Sequence, residues 1–118
     1  MGGEAVIRGG RIRLEQVLVN LVRNAVEALE GLADGRITVE TINGAEEVTI
    51  AVADNGPGIP TDILPVLFTP FKTSKAQGTG LGLVIASDIV SELGGVLSAE
   101  SRPGEGARFT IRLPRAPA

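Results

Sequence analysis

The sequence predicts an α/β fold: a two-layer sandwich in which a mixed, mostly antiparallel sheet carries its helices on one face. Three observations predict it. Two long segments place apolar residues at helical spacing, and four short runs read as strands. The strand runs come as two pairs, each joined by a short turn-rich connection, which implies antiparallel pairing with the helices packed over one side. A chain of 118 residues is long enough for one such domain with a single core.

The first helix is expected from about Arg11 to Leu29, where Leu14, Val17, Leu18, Leu21, Val22, Ala25 and Leu29 form a wide apolar stripe. Gly31 and Asp34-Gly35 end it. Residues 36–41 alternate as a strand with Ile37 and Val39 on one face, Asn43-Gly44 marks a turn, and residues 47–53 return as a second strand. Pro65 limits residues 60–67 to a short helix. A second long helix is expected over residues 80–93, stopped by Gly94-Gly95. Residues 96–101 and 107–113 complete the sheet, joined through Pro103-Gly104-Glu105-Gly106, and Ala107, Phe109, Ile111 and Leu113 share one face.

Composition removes several functions. The chain is 43% apolar with three phenylalanines as its only aromatics, so the core is aliphatic. A net charge of −3 and a pI near 4.9 argue against nucleic acid as a partner. No apolar run reaches the roughly 18 residues of a membrane span, so no membrane contact is expected, and the absence of cysteine suits a reducing cytoplasm. With no histidine, the chain holds no His general base and no Ser-His-Asp triad.

Four constellations can carry chemistry, and each also has a plain reading. Asn20 and Asn24 lie one turn apart, Asn24 bordering the apolar stripe. They are either ordinary boundary residues or an oxygen ligand for Mg²⁺ with a phosphate contact beside it. Asp54, at the end of the second strand, either caps a turn or accepts a hydrogen bond from an adenine amine, with Gly58 leaving room for the ring. Gly78-Thr79-Gly80-Leu81-Gly82-Leu83 is neither a P-loop nor a dinucleotide fingerprint. It is either a flexible helix entry or a set of backbone amides turned to phosphate at a helix start. The polar stretch 68–77, with Lys72 and Lys75, is either a solvated loop or a lid over a triphosphate.

In this fixed order the motifs resemble the ATP-binding catalytic domain of bacterial sensor histidine kinases, relatives of the gyrase, heat-shock chaperone and mismatch-repair ATPases. Residues 16–25 (QVLVNLVRNA) resemble the family's N box, Asp54-Asn55-Gly56-Pro57-Gly58-Ile59 its first glycine box, and residues 67–75 (LFTPFKTSK) its phenylalanine box and lid. Residues 78–83 resemble the second glycine box, and residues 106–114 the closing strand. The resemblance covers nearly the whole chain. Residues 70–75 with Gly78-Thr79-Gly80 are similar to sensors of nitrogen status, oxygen or C4-dicarboxylates.

The resemblance implies ATP and Mg²⁺ as ligands. Asn24 would bind the Mg²⁺ with Asn20 in catalytic support, and Asp54 would accept the adenine amine in a pocket shaped by Gly56, Gly58 and Ile59. Gly78, Thr79, Gly80, Leu81 and Gly82 would meet the phosphates, Lys75 and Lys72 would contact them from the lid, and Thr110 would reach the adenine end. The hydrolysing relatives carry a glutamate where Asn20 stands, as base for water; an amide cannot take that proton. Phosphoryl transfer to a protein side chain is therefore favoured over the alternative of a gyrase- or chaperone-type hydrolytic switch.

Three departures shape the expectation. The phosphoacceptor histidine must lie elsewhere, on a dimerisation domain of the same kinase, with a response regulator downstream. Ala5 to Arg8 is all that stands for the strand expected before the N box, which reads as a fragment of a longer cytoplasmic kinase portion. Gly10 replaces the usual capping aspartate.

Overall fold

The computed structural model describes residues 11–68, 82–102 and 104–114. Helix α1 spans Arg11–Ala28, strand β1 Ile37–Asn43, β2 Glu47–Asp54, helix α2 Gly82–Glu92, β3 Val96–Ser101 and β4 Ala107–Pro114. The two long helices and the four strands expected over residues 36–113 are present, with ends within two residues of expectation. The short helix expected at residues 60–67 is only a 3-10 turn over Leu64–Val66. The strand predicted at residues 5–8, Gly10 and the lid stretch 69–81 lie outside the described residues.

Neither helix has acidic residues in its first turn or basic ones in its last, so charge–dipole support is missing at both ends. Packing holds them instead. Val17, Leu21 and Ala25 of α1 recur every four residues and are buried, as are Ala86, Ile89, Val90 and then Leu93 at α2. Each such aliphatic side chain contributes about 1.5–3 kcal/mol by leaving water. Gly31, at φ 84°, ends α1. Gly94, at φ 85°, ends α2, where Gly95 N–H closes back on Val90 O at 2.9 Å. Pro65 allows only a 3-10 turn over Leu64–Val66, after which Leu67 enters the core.

The sheet order is β1-β2-β4-β3, and all three pairings among the described residues are antiparallel. In the central pair, Val48 faces Leu113, Ile50 faces Ile111, Val52 faces Phe109 and Asp54 faces Ala107. These residues form the face beneath the helices, and all of them are buried. The two helices run antiparallel: Asn20 of α1 meets Gly82 at the start of α2, and Arg13 ion-pairs with Glu92 at its end. Cover does not extend to the edge. Val39 of β1 lies directly across from Val52 on the same face, yet Val39 is 54% exposed and Val52 only 1%.

Candidate functional site

Strand β2 delivers Asp54 to the helix-covered face at the sheet's end, opposite Ala107. Only 9% of Asp54 is exposed. A carboxylate that deep needs a donor, and Gly56 N–H supplies one to Oδ1 at 2.9 Å. Turn capping is thus real here, but it engages a single carboxylate oxygen. Asn55 anchors the same turn from behind. Its Oδ1 accepts Arg36 N–H at 2.6 Å, its Nδ2 donates to Asp34 O at 2.9 Å, and its own N–H donates to Arg36 O at 3.2 Å. Gly56 lets the turn lie against the end of α1, since a Cβ there would stand 2.9 Å from Ala28 O and 3.0 Å from Asp54 Oδ1.

The next residues are held by the β3–β4 connection. Ser101 Oγ accepts Ile59 N–H at 2.7 Å and donates to Gly106 O at 2.9 Å. Gly104 N–H donates to Pro57 O at 2.8 Å. Gly58 has φ 86°, and a Cβ on it would meet Arg102 O at 2.6 Å and Ser101 Oγ at 2.9 Å. The expected reason for this glycine changes accordingly: a side chain at 58 would strike protein backbone rather than open pocket space. Gly106, at φ 90°, is still tighter, because its Cβ would fall 2.0 Å from Asp54 O.

At the far end of the same strip, Asn20 Nδ2 donates to Gly82 O at 3.4 Å and so ties the middle of α1 to the first residue of α2. A Cβ on Gly82 would meet nothing within 4 Å. Asn20, Asn24 and Ala28 follow one another at single turns along one side of α1. Because Gly56 lies against Ala28 and Gly82 against Asn20, these two glycines sit at opposite ends of that side, about 12 Å apart along the helix axis. Asn24, half-buried, lies between them.

One expected site residue is not brought in. Thr110 pairs with Ala51 and Ser98, whereas Asp54 pairs with Ala107. Alternation along β4 therefore puts Thr110 on the face away from the helices, with Arg108 and Arg112 rather than with Phe109 and Ile111. Thr110 and Asp54 thus occupy opposite faces of the sheet. Lys72, Lys75, Gly78, Thr79, Gly80 and Leu81 lie outside the described residues. Ser101, Gly106 and Asn55 were missed as builders of the site. The glycine-rich β3–β4 connection reads in sequence only as a hairpin link, and a strand-end serine carries no signal until its partners from residues 59 and 106 are known.

Comparison with known proteins agrees with this fold. A profile of the family described as "Histidine kinase-, DNA gyrase B-, and HSP90-like ATPase" matches residues 9–117. The chain is similar to the C4-dicarboxylate transport sensor protein DctB of Rhizobium meliloti (strain 1021), at 51% identity, covering 92% of this chain and 17% of that protein. It is also similar to the sensor histidine kinase ZraS of Klebsiella oxytoca, at 48% identity, covering 86% of this chain and 22% of that one. The chain thus spans only about a fifth of these curated relatives. Among solved structures it resembles the catalytic domain of histidine kinase ThkA, with a TM-score of 0.79 and 37% identity over 92% of this chain and 71% of that one. Mycobacterial sensor histidine kinase MprB gives a TM-score of 0.80 at 26% identity, covering 95% of this chain and 78% of that one.

Proposed function

Because the chain belongs to the histidine kinase-, DNA gyrase B- and HSP90-like ATPase family, we propose that it binds Mg·ATP along this side of α1 and presents the γ-phosphate to a histidine on a separate domain. The observation that carries the reading is the strip itself. A buried carboxylate with one oxygen held in place stands at one end, Asn20 beside the start of α2 stands at the other, and Asn24 lies between them.

In this reading Asp54 accepts the exocyclic amine of adenine, while the glycine turn around it fixes where the base lies. Asn24 offers a carbonyl oxygen to Mg²⁺, which suits a hard cation that keeps most of its ligands as water and phosphate oxygen. When held there, Mg²⁺ would supply charge stabilisation for the transferring phosphoryl group. Among the described residues no group of three acidic, His or Cys side chains could hold a metal by itself, so the donor set fits an ion that arrives with the nucleotide. Gly82 opens α2, whose first amides and dipole favour phosphate. Lys72, Lys75 and residues 78–81 are proposed to close on the phosphates.

Asn20 decides between reaction types. Its amide donates to Gly82 O, and an amide cannot activate water as a carboxylate would. Transfer to a protein nucleophile is favoured, with catalysis by positioning and charge stabilisation. The chain has no histidine, so the acceptor belongs to a partner, read here as the dimerisation domain of the same kinase, with a response regulator downstream. No helix among the described residues is long and apolar enough to cross a membrane. The domain is read as working in the cytoplasm, where ATP is supplied.

The test mixes this chain with γ-labelled ATP and a cognate histidine-bearing domain. Labelled phosphohistidine is expected, with little free phosphate when the partner is absent. Rapid phosphate release with no labelled partner would support the hydrolytic alternative instead.

A further inference from the structure

We propose that Ser101 is a positioning residue for base recognition, acting through the first glycine turn without touching the nucleotide. This rests on the reading of Asp54 as the base acceptor. Ser101 stands at the end of β3, and a single hydroxyl joins two segments 42 and 5 residues away in sequence. It accepts from Ile59 N–H at 2.7 Å and donates to Gly106 O at 2.9 Å. These two bonds use the hydroxyl's single donor and one of its acceptor lone pairs, so the direction of its O–H is set by the fold.

The consequence reaches Asp54 by two routes. On one side, Ile59 closes the segment that begins at Asp54, and Gly58 within it rests on Arg102 O and Ser101 Oγ in a left-handed conformation. On the other side, Gly106 abuts Asp54 O so closely that no side chain fits, and Ala107 next to it pairs with Asp54. Gly104 N–H on Pro57 O adds a third tie between the same two loops. The β3–β4 connection therefore acts as a clamp on the turn that orients the carboxylate, with Ser101 as its central pin. Without the hydroxyl, Ile59 N–H and Gly106 C=O lose their partner together, and the turn gains freedom where the base would be read.

The experiment combines calorimetry with Mg·ADP and backbone amide hydrogen exchange on the full chain. Ser101→Ala is expected to weaken Mg·ADP roughly tenfold, the scale of one lost hydrogen bond. It should speed exchange at Ile59 and Gly56 while the amides of central strands β2 and β4 keep their protection. Ser101→Thr, which retains the hydroxyl, should restore both. Unchanged affinity in Ser101→Ala would overturn the proposal, and so would loss of protection spread across the central strands, which marks a merely structural role. Should Ser101→Ala not fold, Ser101→Cys keeps the size with a weaker donor and acceptor. An intermediate loss is then expected, and wild-type affinity would count against the idea. Asp54→Asn serves as the separate check: if it binds Mg·ADP as well as wild type, the base-site reading fails whatever Ser101 does.

Discussion

Replacing Asp54 by asparagine separates recognition from folding more cleanly than any other change at this site. In the native protein Oδ1 accepts Gly56 N–H at 2.9 Å, and Asp54 is almost wholly buried. Asparagine keeps a carbonyl oxygen for that bond. The reverse amide orientation would aim an NH₂ at the Gly56 donor, so the backbone itself selects the rotamer. The turn should survive with a stability change within about 1 kcal/mol. The other carboxylate position becomes a donor, and it would face the donor amine of adenine. Losing a hydrogen bond to a charged acceptor costs about 1.5–3 kcal/mol, which corresponds to roughly 10- to 100-fold weaker binding. Calorimetry with Mg·ADP measures the affinity, and thermal unfolding without nucleotide measures the stability. Native affinity in Asp54→Asn would refute the base assignment. A lost affinity accompanied by a large fall in unfolding temperature would refute the claim that asparagine preserves the turn.

Three further outcomes follow from the same geometry. Gly106→Ala puts a Cβ 2.0 Å from Asp54 O at φ 90°, so it should destabilise by about 3 kcal/mol and lower the unfolding midpoint by about 10 °C; a drop of only a degree or two would contradict the close approach. Asn24→Ala should leave metal-free ADP binding nearly intact while cutting the gain from added Mg²⁺ roughly tenfold, about one charge-assisted contact. Calorimetry with and without Mg²⁺ checks this, and an equal gain in both proteins would remove Asn24 from the metal. Leu21→Ala, at a fully buried position, should cost about 2–5 kcal/mol in chemical unfolding, with ADP affinity kept by the folded fraction.

The architecture was legible because its signals are local. Val17, Leu21 and Ala25 repeat at the helical period, and Ala107, Phe109, Ile111 and Leu113 repeat at the strand period, so each element declares its buried face by spacing alone. Val39 shows the limit. Its alternation with Ile37 marks a face, but whether a helix covers that face depends on where α1 lies, and α1 stops short of β1's outer half.

The same limit runs through the site. Asp54, Asn20, Asn24 and the glycines stand out in sequence because their residue types are unusual where they occur. For Thr110, the alternation of its own strand sets it apart from Phe109 and Ile111, and pairing with β2 then fixes which of those faces carries Asp54. What the sequence by itself determined is the element order, the core stripes and the residue types at the two ends of a nucleotide-like site. Only the tertiary structure decided that those ends share one side of α1, that Asn20 holds Gly82, and that Ser101 and Gly106 clamp the Asp54 turn. Periodicity is a property of neighbours along the chain, whereas a clamp is made by residues that become neighbours only when the sheet closes.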